Sequence, residues 1–207
     1  MKSGRLPPWP AVLLLALSTL LPVAHATTVR APDFDGMVGK SDYIVRAVVK
    51  SVTSGWRANP EKPGQRYIGT LVELDVKEII KGTPPSPLVL DLVGGRIDDR
   101  ELTIEGSPRF TVGQENILFV KGNGRQIVPL VGMNHGYYQV RRDKVTGRDQ
   151  VLRSNGKPLY DEKEVALPES ALSAAPARAA SARPLTSAEF ATRIRKSGKF
   201  NTREKLE

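Results

Sequence analysis

The chain has 207 residues, with 31 Lys and Arg against 22 Asp and Glu, and it contains no cysteine. The missing cysteine excludes disulfides, thiolate catalysis, lipid attachment through a thiol and every cysteine-containing zinc site. A formal charge of +9 favours anionic surfaces, since that attraction needs no particular geometry, but it says nothing about fold.

Lys2 and Arg5 precede an apolar run, AVLLLALSTLLPV (residues 11–23), and then Ala24-His25-Ala26. A positive n-region, a short apolar core and an A-x-A site together make a secretory signal peptide over residues 1–26, cleaved after Ala26. The run is short for a bilayer span, and Pro22 argues against a continuing helix. No later segment is long and apolar enough to cross a membrane. The mature chain is therefore expected to be soluble, periplasmic or secreted, with no transmembrane segment. It carries +7, because Lys2 and Arg5 leave with the leader.

Residues 27–41 place Phe34, Met37 and Val38 on one helix face, with Asp33 or Asp35 as cap, although Gly36 and Gly39 weaken it. YIVRAVVKSV (residues 43–52) reads as a strand, followed by a long polar loop over residues 53–66 that carries Trp56. In YIGTLVELDVKEII, Ile68, Val72, Leu74 and Val76 alternate with Glu73, Asp75 and Lys77, and Thr70 is the only polar residue on the inner face. KGTPPSP breaks the chain before a third strand, LVLDLV. NILFV and QIVPLV flank KGNGR, where Asn123-Gly124 suits a type I′ hairpin turn and Pro129 demotes the second run to an edge or bulged strand. GYYQVRR and DQVLRS pair across DKVTGR. Six to eight strands with almost no helix between them predict a small barrel or sandwich, one domain over residues 27–167.

Residues 168–184 form an Ala/Ser/Pro-rich linker that cannot bury a core. Residues 185–207 hold a short helix and tail. Thr186 and Glu189 make a capping box, Leu185 can staple onto Phe190, and Ile194 follows four residues on. So narrow an apolar stripe must dock on the barrel or on a partner.

The candidate chemistry is sparse. His135 is the single histidine of the mature chain and cannot build a multi-histidine metal site. As a triad base it would need Ser41, Ser51 or Ser107, and no nucleophile elbow places any of them. VGGRIDDRE (residues 93–101) invites a phosphate-loop reading, but carboxylates stand where cations are wanted and no helix follows. Asp98, Asp99 and Glu101 alternate with Arg96 and Arg100, the pattern of a solvated rim rather than a cation site or a catalytic carboxylate pair. Trp56 is a contact candidate on its loop. Of Tyr137 and Tyr138, adjacent in a strand, one is expected to face the core and the other solvent.

SDYIVRAVVKSV, GTLVELDVKEIIKG, LVLDLVGGRID, IEGSPRFTVGQENILFV and PLVGMNHGYYQV, in that order, resemble a group of exported bacterial proteins that carry no assigned activity. The distinctive elements are Lys81-Gly82, Gly94-Gly95, Gly106 with Pro108 and Phe110, Gly113, and Gly132 to Gly136. The resemblance implies an all-β fold, a small OB-like antiparallel β-barrel, distantly similar to the N-terminal domain of tissue inhibitors of metalloproteinases. Those inhibitors chelate zinc through an N-terminal cysteine braced by disulfides, and this chain has neither.

The expectation is an exported, non-enzymatic binding module of the bacterial envelope that needs no cofactor, metal or nucleic acid. Its partner would be an envelope or secreted protein, or an anionic envelope polymer, met by barrel loops through Trp56, Arg96, Asp98, Asp99, Glu101, His135 and Tyr138. The alternatives are a secreted metalloprotease inhibitor-like protein and a hydrolase using carboxylates.

Overall fold

The structure, a computed structural model, describes residues 32–59, 62–166 and 183–203. The segment expected to be a signal peptide and nearly all of the Ala/Ser/Pro-rich stretch expected as a linker lie outside the described residues. Helix α1 (Phe34–Lys40) is followed by β1 (Tyr43–Ala58), β2 (Arg66–Lys81), β3 (Leu88–Val93), β4 (Gly95–Ile97) and β5 (Arg100–Leu102). Then come β6 (Glu115–Val120), β7 (Tyr137–Arg142), β8 (Asp149–Leu152) and α2 (Ser187–Arg203), with 3-10 turns at Met133–Gly136 and Glu162–Ala166. Asp33 caps α1 by accepting the Gly36 N–H at 2.7 Å.

Six strands form one antiparallel sheet in the order β3-β2-β1-β6-β7-β8, and β4 and β5 make a separate hairpin. The all-β expectation holds, but the sheet does not close into a barrel. Residues 126–131 run between β6 and β3, where a closing strand would lie. They make only a bridge from Val120 to Leu130 and one bond from the Val93 N–H to the Ile127 carbonyl. Pro129 offers no N–H, so a ladder cannot propagate there. The expected type I′ turn is also absent: Gly122 and Gly124 take positive φ, and Asn123 does not. Its side chain instead donates to the Val89 carbonyl at 2.7 Å and accepts the Asp91 N–H at 3.0 Å.

The sheet carries a core on each face. On one side Ile44, Ile117, Phe119, Tyr138, Val140 and Val151 pack against α1 and α2. On the other, Val45, Ala47, Val49, Val72, Leu74, Leu90 and Leu118 form a second cluster with Tyr137. ILFV (residues 117–120) is a continuous apolar run because both faces of β6 are covered. The same fact corrects the tyrosine expectation. Tyr137 enters the second core and Tyr138 the helix-side core, so both are buried.

The first part of the loop expected over residues 53–66 is strand, through Ala58, and β2 begins at Arg66. Pairing continues from Thr53↔Leu71 to Ala58↔Arg66, and beyond Gly69, where β3 stops pairing, β1 and β2 extend as a two-stranded arm. Polar residues give no hydrophobic alternation there, yet backbone pairing needs none. A register shift between Val49 and Ser51 leaves Lys50 as a bulge. A bulge inverts side-chain parity. Val52, Ser54 and Trp56 therefore share the face of Val49, opposite Val72, Thr70 and Ile68.

Helix α2 docks on the sheet. Thr186 and Glu189 exchange the two hydrogen bonds of a capping box, at 2.9 and 3.2 Å. Phe190 lies 5.0 Å from the Tyr138 ring, 5.9 Å from Phe34 and 6.0 Å from Phe119. Asp149 of β8 accepts from the Ser187 N–H and hydroxyl. Arg193 pairs with Asp161 and Glu162, and Arg195 with Glu78.

Candidate functional site

The arm and the β4–β5 hairpin build a site together, and glycine is what lets them approach. Gly94 and Gly95 take φ of 104° and 136°. A Cβ on Gly95 would stand 2.2 Å from Thr70 Oγ1 and 2.6 Å from Ser54 Oγ, so a side chain there would push the hairpin off the arm. Thr70 earns its place on the apolar face by donating to the Gly94 carbonyl at 2.6 Å, beside a 2.9 Å contact with the Ser54 hydroxyl. The Gly94 N–H completes the seat by donating to the Ile68 carbonyl at 2.8 Å. Asp98 turns the hairpin with φ of 53°, a region that Asp tolerates better than most residues.

That seating carries Arg100 to Trp56. The Arg100 Cζ lies 5.8 Å and the Arg66 Cζ 5.5 Å from the indole centroid, both within cation–π range. Arg66 arrives from β2, two residues from Ile68, the cross-strand partner of Trp56. The indole stays 38% exposed. Trp56, Arg66, Ile97, Asp98, Asp99 and Arg100 line an open cleft of about 600 Å³. Among the described residues neither guanidinium donates to a carboxylate, so both keep their donors for an incoming group.

Of the residues expected from sequence, the structure joins Trp56, Asp98 and Asp99. Arg96 and Glu101 face each other in the hairpin register. Arg96 donates to the Asp98 carbonyl at 3.1 Å and Glu101 accepts from the Thr103 hydroxyl at 3.2 Å, which holds both on the rim. Arg66 was missed because it seemed to end a loop; only the arm pairing sets it beside Trp56.

His135 and Tyr138 lie outside this cleft. His135 sits in the Met133–Gly136 turn after left-handed Gly132, where burial pushes its imidazole below its ordinary value. Tyr138 is buried among rings, and desolvation raises its phenol well above the usual range. Two of the serines considered as nucleophiles are spent. Ser41 donates to the Met37 carbonyl at 2.7 Å, and Ser51 to Glu73 at 3.3 Å. Among the described residues no three His, Asp or Glu side chains are grouped to hold a metal.

A larger groove of about 860 Å³ runs along β2 and residues 84–88. Its charges satisfy one another, Lys50 with Glu73 at 2.7 Å and Lys77 with Asp75 at 2.5 Å. The Trp56 cleft is the stronger candidate because its strongest donors are unspent.

No family model matches the chain, and no curated protein matches it.

Proposed function

We propose that the chain is an exported, non-enzymatic binding module, periplasmic or secreted, that meets a protein partner through the Trp56 cleft. One observation carries the reading: a half-exposed indole with two guanidiniums over it, neither of them in an ion pair among the described residues. Trp and Arg are the residues that most often dominate binding energy at protein interfaces. A protein partner is favoured over an anionic polymer by the local charge. Arg66, Arg96 and Arg100 are matched by Asp98, Asp99 and Glu101, so the cleft exerts little long-range pull on a polyanion. Its selectivity is short-range, in shape, stacking and hydrogen-bond direction. No cofactor enters this mechanism.

The test is capture from an envelope extract by the immobilised mature chain, washed at roughly 1 M salt, where the Debye length is about 3 Å. A defined protein should be retained, and Trp56→Ala should weaken its affinity about thirtyfold, as truncation of an interface anchor does. Lys77→Ala, in the self-paired β2 groove, should bind like wild type. Equal capture by Trp56→Ala, or retention that vanishes with salt, overturns the proposal.

A further inference from the structure

The net positive charge of the chain points to a second surface, in a place its sequence does not suggest. From Ala166 onward, cations outnumber acids eight to four, which marks the C-terminal segment as the natural anion contact. In the fold three of its arginines are already used: Arg183 pairs with Glu189, Arg193 with Asp161 and Glu162, and Arg195 with Glu78. A guanidinium held by a carboxylate has little left for an external phosphate.

The β7–β8 hairpin is the reverse case. Arg141, Arg142, Lys144 and Arg148 are all exposed within eight residues, and none forms an ion pair among the described residues. The two acids beside them are turned inward. Asp143 accepts from the Thr146 N–H at 2.7 Å, the Thr146 hydroxyl at 2.9 Å and the Val145 N–H at 3.0 Å, folding the tip around its own carboxylate. Asp149 is turned to the first residue of α2, where Ser187 donates to it from backbone and side chain. Arg142 braces the loop by donating to the Gly147 carbonyl at 2.8 Å; the Asp143 charge reaches Arg141, but Arg141, Lys144 and Arg148 form no ion pair among the described residues. Glu189 is the one further acid whose charge reaches Arg148, and it is matched by Arg183. At the apex stands Val145, 94% exposed, the most exposed large apolar side chain of the described residues.

Cations surrounding an isolated apolar apex match the surface of an anionic bilayer, with phosphates at the level of the cations and acyl chains beneath them. We infer that the tip of the β7–β8 hairpin, residues 141–148, is a peripheral docking point for anionic lipid head groups, with Val145 entering the interface. The contact is superficial: among the described residues no helix is long and apolar enough to cross a membrane. It also lies on a different hairpin from the Trp56 cleft and shares no residue with it.

Co-sedimentation of the mature chain with vesicles tests this. Binding is expected to vesicles of phosphatidylglycerol and not to those of phosphatidylcholine. Replacing Arg141, Lys144 and Arg148 by Gln should lower the partition roughly a hundredfold, at about fivefold per cation. Val145→Ala should lower it about fivefold while leaving retention by soluble inorganic polyphosphate unchanged. Replacing the tail cations Lys199 and Lys205 by Gln should change vesicle binding less than twofold. The thermal midpoint of each variant, unchanged for exposed substitutions, shows that loss of binding is not loss of fold. Vesicle binding that survives the triple substitution overturns the inference. So does a Val145→Ala chain that binds vesicles like wild type, which would assign the hairpin to soluble polyanions.

Discussion

Arg193 and Arg195 on α2, and Arg66 and Arg100 around Trp56, are the same residue type in partly exposed settings, put to opposite uses. The helix pair meets Asp161, Glu162 and Glu78, which fix the orientation of α2 over the sheet. The pair around Trp56 meets an indole and, among the described residues, forms no ion pair. An exposed ion pair contributes little stability but consumes the donors of its guanidinium. A guanidinium on an aromatic face is oriented while its N–H groups stay open. Charge count alone would rank the C-terminal segment as the more reactive region; pairing reverses that order.

The largest test of this contrast compares the aromatic residues at the two places. Phe190→Ala empties the centre of the ring cluster and should cost about 3–5 kcal/mol in urea unfolding. Trp56→Ala should cost less than about 1 kcal/mol, as its role is contact rather than core. If Trp56→Ala destabilises as much as Phe190→Ala, the arm is a core element and the contrast collapses.

A middle-sized effect concerns Asp149, which ties β8 to the start of α2. Burial alone would raise its pKa, but the bonds from Ser187 outweigh that and hold it below the usual carboxylate range. Asp143 and Glu189 are also lowered, first by bonds from Thr146 and Thr186 respectively. For groups so depressed, the stabilisation is complete above the unfolded value near pH 4 and is lost as pH falls through the lower folded value. Asp149→Ala should cost about 1–2 kcal/mol at pH 7. The unfolding midpoint of the wild type should drop as pH falls below about 4, more steeply than that of Asp149→Asn.

The smallest effect is expected at the helix arginines. Arg195→Gln should change stability by less than about 1 kcal/mol, and that difference should disappear at roughly 1 M salt. A larger, salt-resistant loss would mean that the pair with Glu78 is structural in its own right. Glu78 is pulled both ways: burial raises its pKa, while bonds from Arg195 and Arg46 bring it below its ordinary value.

Local elements were legible wherever their causes were local. The cap at Asp33, the Thr186–Glu189 box, the alternation around Val72 and Leu74, and the glycine turn after LVLDLV each depend on residues a few positions apart. The misreadings share a different origin. Tyr138 looked available because strand alternation assumes one wet face, whereas here α2 covers the second face with Phe190. The stretch after Val52 looked like a loop because its polar residues carry no periodicity, although β2 pairs with it to Ala58.

By itself the sequence determined the strand-forming runs, the caps, the cysteine-free chemistry and the charge, because these are properties of short segments or of composition. Tertiary structure alone decided what those residues became. The bulge at Lys50 set which face Trp56 occupies, since one extra residue inverts every side chain beyond it. The seat on Ser54 and Thr70 decided that Arg100 reaches the indole. Helix docking decided which cations are spent and which remain free. Pairing across dozens of residues depends on where distant backbones meet, and no local pattern encodes that meeting point.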